Sequence, residues 1–296
     1  MASTVESMLL RHVRARLSHP AYDEFKAFKF AVPDDKASWL VPWPEYRPIE
    51  FTHPRILEQP PYADPVDARK TDWSTRHFSL AYKRQGLAAY IVDDLGRPRN
   101  PAGRTGMTGR GRLGKWGANV AADALVTRRA ADDGVFEFVA IQRSDTGLWA
   151  LPGGMVDSVD ETFEHTAVRE FFEEAGTLAD LATVGPIMEA EGAITYSGHV
   201  DDNRATDNAW TETSVFHWQF DASRHPPLRL KAADDAIGVA WLRTDSDLFN
   251  APDTFHCHHR VLVLHALGLL SSSTDVSQRP KDGGAKPLQQ QQQHSS

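Results

Sequence analysis

The chain has 296 residues, 41% hydrophobic and 24% charged, an ordinary globular composition that excludes general disorder and supplies apolar material for one large or two modest cores. Its formal net charge of −8 excludes a broad surface for nucleic acid or an anionic membrane, because phosphate groups recruit proteins through a basic field. Cys257 is the single cysteine, which excludes an intramolecular disulfide and a cysteine-based zinc site and fits a reducing compartment.

At the N-terminus, Arg11, Arg14 and Arg16 stand among Met8, Leu9, Leu10 and Val13. Two readings are open. An Arg-rich, acid-poor amphipathic stretch fits a transit peptide, whereas Glu6 fits a surface helix; the compartment is accordingly the cytoplasm or, as the alternative, the mitochondrial matrix. Residues 20–65 are rich in proline and aromatics, including Trp39, Trp43, Tyr46 and Tyr62. Repeated proline favours extended chain, so the spacing predicts an irregular arm or small domain whose aromatics dock on another domain. Residues 103–117 carry six glycines interleaved with Arg104, Arg110, Arg112, Lys115 and Trp116, too many for a helix or a central strand, and are expected to be a loop or linker.

Residues 136–141 form an apolar, β-prone run broken by Glu137, where the sheet is expected to begin as a strand buried on both faces. Phe163, Ala167 and Phe171 recur at four-residue steps and predict a helix over 158–175, with Ser158 and Glu161 as a capping box and Gly176 as its stop. Strands are expected at 193–200, 210–220 and 237–242, and a closing amphipathic helix at 256–270. That last region holds the longest apolar run, 261–270, which is about half as long as a membrane-spanning helix. Strands alternating with helices imply an α/β layered domain. The glutamine-rich tail after Ser271 lacks apolar content to order it and is expected to be disordered.

The chemistry concentrates in Arg169-Glu-Phe-Phe-Glu-Glu-Ala-Gly176. On a helix Glu170, Glu173 and Glu174 fall at i, i+3 and i+4 and share one face. Read alone, such a run is more often just an exposed acidic face. Three repelling carboxylates with only Arg169 beside them call for a compensating cation, and hard oxygen ligands suit Mg²⁺ or Mn²⁺. Leu151-Pro-Gly-Gly-Met-Val156 precedes the helix, where glycines let the backbone pass close to such a site.

Gly153-Gly154, Glu161 and the string from Arg169 to Gly176 together resemble the Nudix box, in which G, five residues, E and seven residues lead into R-E-U-x-E-E-x-G-U with U aliphatic. The interval from Gly154 to Glu161 is one residue longer than that pattern, so 157–160 absorbs an insertion. Phe171 and Thr177 stand at U positions. The resemblance implies a Nudix α/β/α sandwich with a mixed sheet, with Glu170, Glu173 and Glu174 ligating Mg²⁺, Arg169 orienting a glutamate, and metal-activated water attacking phosphorus.

Residues 100–117, 149–157 and 198–213 look like the mitochondrial-type ADP-ribose pyrophosphatase branch, and the likeness runs into the arm from Ser38 to Pro65. That branch splits ADP-ribose into AMP and ribose 5-phosphate. It is also similar to the ADP-ribose-sensing domain of melastatin-type cation channels, some of which have a degraded acidic motif; here the acidic set is complete. The implied organisation is an N-terminal segment 1–25, a substrate-side arm 26–115, a Nudix domain 116–271 and a tail 272–296.

Asp202 and Arg204 are candidate contacts for ribose hydroxyls and phosphate, against an Asx-rich turn as the alternative. Arg104, Arg110 and Arg112 meet phosphates or else anchor the arm. Glu212 is a further metal ligand or base, or a surface glutamate. His256, His258 and His259 lack regular ligand spacing and read as helix surface or adenine-pocket wall rather than as a metal site. Activity on another nucleoside diphosphate derivative and a non-catalytic ADP-ribose-binding module are the competing functions.

Overall fold

The computed structural model describes residues 12–269. The Arg-rich stretch up to Arg11 and the tail from residue 270 lie outside the described residues.

The N-terminal part is made of short pieces, as its prolines demand. It holds strand β1 (Ile49–Thr52), helix α1 (Pro54–Leu57), helix α2 (Leu80–Arg84) and strand β2 (Met107–Gly111), besides several single helical turns. β1 and β2 pair in parallel, with Ile49 opposite Met107. The Gly-rich segment expected to be loop therefore carries a strand. Gly106 has φ 89°, and a Cβ there would sit 2.0 Å from the Phe30 carbonyl oxygen, so glycine is what allows the start of β2 to lie this close to the segment at Phe30.

The main domain contains β3 (Gly117–Arg129), β4 (Phe136–Arg143), β5 (Trp149–Ala150), β6 (Gly153–Met155), α3 (Phe163–Glu174), α4 (Leu178–Glu191), β7 (Ala193–His199), β8 (Ala209–Gln219), β9 (Ala236–Arg243), α5 (Asp247–Asn250) and α6 (His259–Ala266). The sheet is mixed. β3 lies at its centre, parallel to β8 from Gly117 opposite Ala209 to Thr127 opposite Gln219, and antiparallel to β4 and β6. β7 extends it beyond β8, while β9 and β5 pair with β4.

Alternation along the strands builds a core on each face. Ala122, Ala124, Val126, Val139 and Ile141 pack against Phe171 and Phe172 of α3 and Val184 and Met188 of α4. Leu125, Phe138 and Ala140 face the other way, onto Phe249, Phe255, Leu262 and Val263. This is the expected α/β/α sandwich. The arm closes a third cluster, in which Ala15 and Tyr82 pack with Ala118, Val120 and Trp210 of the sheet.

Several expectations are corrected. The sheet begins at Gly117, not at Phe136, because the alanines of β3 read as helix formers while burial on both faces makes them strand. α3 starts at Phe163 rather than near Ser158, since Thr162 is its cap and accepts from the His165 amide. Glu161 is spent on Arg169 and the Asp157 amide instead of a capping box. α4 was not expected, as Gly185-Pro186 reads as a breaker; Pro186 lies on the exposed side of the helix. Thr177, the departure from an aliphatic residue, caps α4 by accepting from the Asp180 amide. The closing helix is shorter than 256–270 because Trp149 takes the His256 amide and Cys257 has φ 45°.

Candidate active site

The Leu151–Gly154 turn and α3 meet over β3. The Gly153 amide donates to Glu174 Oε2 at 2.9 Å. A Cβ on Gly153 would stand 2.4 Å from Asp123 Oδ1, and one on Gly154 would stand 2.4 Å from Glu170 Oε1. The two glycines are thus required because carboxylates occupy the space beside both of their α-carbons. Asp123, placed opposite Gly153 by the β3–β6 pairing, was not singled out in the sequence. It is buried and accepts from Thr213 Oγ1 at 2.6 Å.

Arg169 organises the outer carboxylates. Its Nε donates to Glu161 Oε1 at 2.9 Å, its Nη1 to Glu170 Oε1 at 2.8 Å and Glu173 Oε2 at 3.0 Å, and its Nη2 to the Met155 carbonyl. Despite the inserted residue, Glu161 reaches Arg169, since the Glu161 amide turns back onto the Ser158 carbonyl. Glu173 is the outermost of the three helix glutamates, with its side chain about half exposed.

The inner carboxylates are poorly compensated. Burial, with the charges of Glu170 and Asp123, pushes the Glu174 carboxyl up to about 8 against the Gly153 amide and Arg143. Burial likewise pushes Asp123 up to about 6 and raises Glu170 in spite of Arg169. Among the described residues no group of three or more His, Cys, Asp or Glu side chains is arranged so that it could hold a metal ion. The donor set nevertheless fits a divalent cation, because buried hard-oxygen acids lacking an equal number of donors are stabilised by one.

Arg143, at the end of β4, was also not singled out. Asp145 holds it through two bonds of 2.9 Å. It lies close enough to act on Glu174, Asp123 and Arg204. The 201–208 loop between β7 and β8 brings Arg204 to this side. Its Nε donates to Asp202 Oδ2 at 2.7 Å and its amide to Asp202 Oδ1 at 2.8 Å. Asp202 is fully buried, and Arg204 holds its carboxyl well below the usual range in spite of burial. The expected ribose acceptor is therefore committed to Arg204, whose own side chain is 27% exposed. His256 stands nearby, pushed down to about 3 by burial.

Other sequence candidates fall elsewhere. Arg104 donates to the Lys36, Ser38 and Val41 carbonyls and lies over the Trp39 ring. Arg110, fully buried, donates to the Asp64 and Gly114 carbonyls. Both anchor the arm, leaving Arg112 exposed. Glu212 is not on the surface; it is fully buried and accepts from Ser79 Oγ, the Leu80 amide and Trp210 Nε1. His259 Nδ1 accepts the Leu151 amide and so braces the glycine turn. An acidic cleft of about 370 Å³ lined by Asp160, Glu161, Thr162, Glu164, His165 and Glu189 opens at the start of α3. Its lining excludes Glu170, Glu174 and Asp123.

Residues 32–117 match the NUDT9-like N-terminal domain, and residues 118–261 match the NUDIX domain. Over 262 residues the chain is 37% identical to the mitochondrial ADP-ribose pyrophosphatase of Rattus norvegicus, covering 80% of this chain and 73% of that protein. It is 38% identical over 241 residues to putative nudix hydrolase 6 of Caenorhabditis elegans, covering 80% and 91%. A transient receptor potential cation channel subfamily M member-like 2 of Nematostella vectensis is 36% identical over 269 residues, which is 81% of this chain but 17% of the channel.

Proposed function

Because the chain belongs to the Nudix hydrolase family, with a NUDT9-like domain ahead of its NUDIX domain, we propose that it hydrolyses ADP-ribose to AMP and ribose 5-phosphate. The observation that carries this reading is the meeting of two opposite sets of charge. Glu174 and Asp123 supply buried carboxyls held by one amide and one hydroxyl, with Glu170 beside them on Arg169, and Arg143 and Arg204 supply cations on the adjoining side. A diphosphate needs both.

Nudix enzymes use a divalent metal; Mg²⁺, or Mn²⁺ in its place, bound here supplies an activated water and neutralises charge on the leaving phosphate. Glu170 and Glu174, with Glu173 at the rim, are the proposed holders, and Asp123 is added to that set. Arg169 fixes the rotamers of Glu170 and Glu173 so that they do not turn toward bulk solvent. Gly153 presents its amide to Glu174 and keeps one carboxylate oxygen directed inward. Arg204, aimed by Asp202, forks to a substrate phosphate, a planar recognition that lysine does not reproduce. In this reading residues 26–115 are the substrate-side arm and 116–271 the hydrolase domain.

Incubating pure protein and Mg²⁺ with ADP-ribose, dinucleotide cofactors and nucleotide sugars, with products identified by mass spectrometry, tests the assignment. AMP and ribose 5-phosphate from ADP-ribose are expected. Cleavage of the other compounds only would assign a different nucleoside diphosphate derivative, and binding without turnover would assign the sensing role that the channel likeness suggests. Cytoplasm or mitochondrial matrix is the proposed compartment, to be read from the location of a C-terminally tagged full chain. Among the described residues no helix is long and apolar enough to cross a membrane.

A further inference from the structure

The arm touches the candidate site through three consecutive carbonyls. Lys29 Nζ donates to the Asn203 carbonyl at 3.0 Å and the Ala205 carbonyl at 2.6 Å, and the Tyr22 hydroxyl donates to the Arg204 carbonyl between them at 3.2 Å. The third Lys29 donor goes to the Ala15 carbonyl at 2.6 Å. All three protons of the ammonium are thus used on backbone from two segments, and none is left for a ligand. Ala15 is itself fixed from the same loop, since its amide donates to Asp201 Oδ1 at 2.6 Å.

This arrangement is more than arm packing. Ordinary docking of an irregular segment uses apolar contact, which Ala15 and Tyr82 already provide against Ala118, Val120 and Trp210. A lysine placed here is costly, because burial pushes it down to about 7 against the pull of Asp202, Asp207 and Asp201. The loop it grips carries Arg204, a partly exposed guanidinium on the side of the carboxylates. Asp202 fixes the far end of that side chain, and Lys29 with Tyr22 fixes the peptide from which it springs. The backbone and the guanidinium are therefore held from opposite ends.

We propose that Lys29 and Tyr22 are positioning residues for substrate binding, through which the N-terminal arm aims Arg204 at a phosphate of the bound nucleotide. The inference rests on the reading of Arg204 as a contact to ADP-ribose. It assigns the arm a part in affinity while leaving the chemical step to α3 and β3, so it makes a statement that simple structural support does not. Loss of the clamp changes KM and spares kcat.

The test compares Lys29→Met, Tyr22→Phe, Arg204→Ala and the Lys29→Met/Arg204→Ala double variant of the full chain. Steady-state kinetics with ADP-ribose at saturating Mg²⁺, calorimetric binding of ADP-ribose, and thermal melting are measured on each. A displacement of about 1 Å costs up to about 100-fold, so Lys29→Met is expected to raise KM about 10-fold with kcat within about 3-fold, even though melting falls because the Ala15, Asn203 and Ala205 carbonyls lose their donor. Tyr22→Phe, which removes one neutral donor and keeps the ring, shifts KM in the same direction by less, about 3-fold. Arg204→Ala raises KM more, and adding Lys29→Met to it has no further effect, because the clamp then aims nothing.

Unchanged KM in both Lys29→Met and Tyr22→Phe, beside an Arg204→Ala that raises it, overturns the clamp alone. Effects that add in the double variant, or a fall in kcat that tracks a fall in melting temperature, also overturn it in favour of plain structural support. Wild-type protein that neither binds nor cleaves ADP-ribose, or an Arg204→Ala with wild-type KM, instead overturns the underlying reading, and this inference with it.

Discussion

Two acidic regions of similar composition behave in opposite ways. In the 201–208 loop, each aspartate has its donors in place. Asp201 accepts the Val13, Arg14 and Ala15 amides, Asp202 accepts Arg204, and Asp207 accepts Tyr46 Oη together with the amide and hydroxyl of Thr105. On α3 and β3 the balance is reversed, for Glu174 has one amide and Asp123 one hydroxyl. Buried acids with their donors supplied hold chain together, whereas buried acids without them are poised for a cation. The same residue type is structural in one place and chemical in the other, and the local supply of donors decides which.

The sharpest way to break this comparison is to remove charge from each region in turn. Glu174→Gln preserves shape and removes the innermost helix carboxylate, so kcat for ADP-ribose should fall by at least about 100-fold while calorimetric binding of ADP-ribose persists. Near-normal kcat would show that the chemistry lies elsewhere. On the loop, Arg204→Ala should act on KM, raising it roughly 10- to 100-fold as expected for a lost charged hydrogen bond, with kcat little changed. A result in which Glu174→Gln moved KM and Arg204→Ala moved kcat would invert the two assignments.

The α3 half of the proposed site was legible in the sequence because its information is local. The spacing of Arg169, Glu170, Glu173 and Glu174 survives in the helix, and Gly153-Gly154 stand where a side chain would strike Asp123 and Glu170. Asp123 itself was not legible. It sits in an alanine-rich segment with no chemical punctuation, and only the β3–β6 register brings it opposite Gly153. Arg143 was missed because only the folded arrangement brings the end of β4 near Glu174, although the Asp145 two residues on was a signal. Arg104 and Arg110 show the converse, since glycine and arginine together fit phosphate binding or carbonyl anchoring equally, and only their burial and carbonyl partners favour anchoring. The layered fold was read from alternating elements, but β3 and α4 were not, because burial overrode the preferences of alanine and of Gly-Pro.

Stability against pH separates the regions without any substrate. Glu174 and Asp123 are raised in the fold, so their contributions are fully present below the unfolded carboxylate values of 4.5 and 3.8 and are lost as pH rises through about 6 for Asp123 and about 8 for Glu174. Three histidines titrate the other way: burial pushes His199, beside Asp201, down to about 4 and His256 and His259 down to about 3, so their joint contribution is fully present above 6.5 and is lost as pH falls through those values, outweighing the two carboxyls between 4.5 and 6.5. Metal-free protein should therefore melt several degrees lower toward either end of the range from pH 4 to 8 than in its middle. Added Mg²⁺ should restore the alkaline limb and leave the acid limb alone. Equal stabilisation at both ends would mean that the cation does not select the α3 carboxylates.

The smallest expected effect is the most specific to the loop. Asp201→Asn replaces one carboxylate oxygen that accepts backbone amides with a group that cannot accept, in a fully buried setting. The cost should be about 1–3 kcal/mol, seen in denaturant unfolding, because one or two amides of residues 13–15 lose their acceptor. Removing a negative charge from α3 should do the reverse, with Glu174→Gln stabilising metal-free protein near pH 8 and abolishing its response to Mg²⁺. If Asp201→Asn also stabilised the protein, or blunted that response, the loop aspartates would share the electrostatic condition of α3. The distinction between compensated and uncompensated acids would then no longer mark the site.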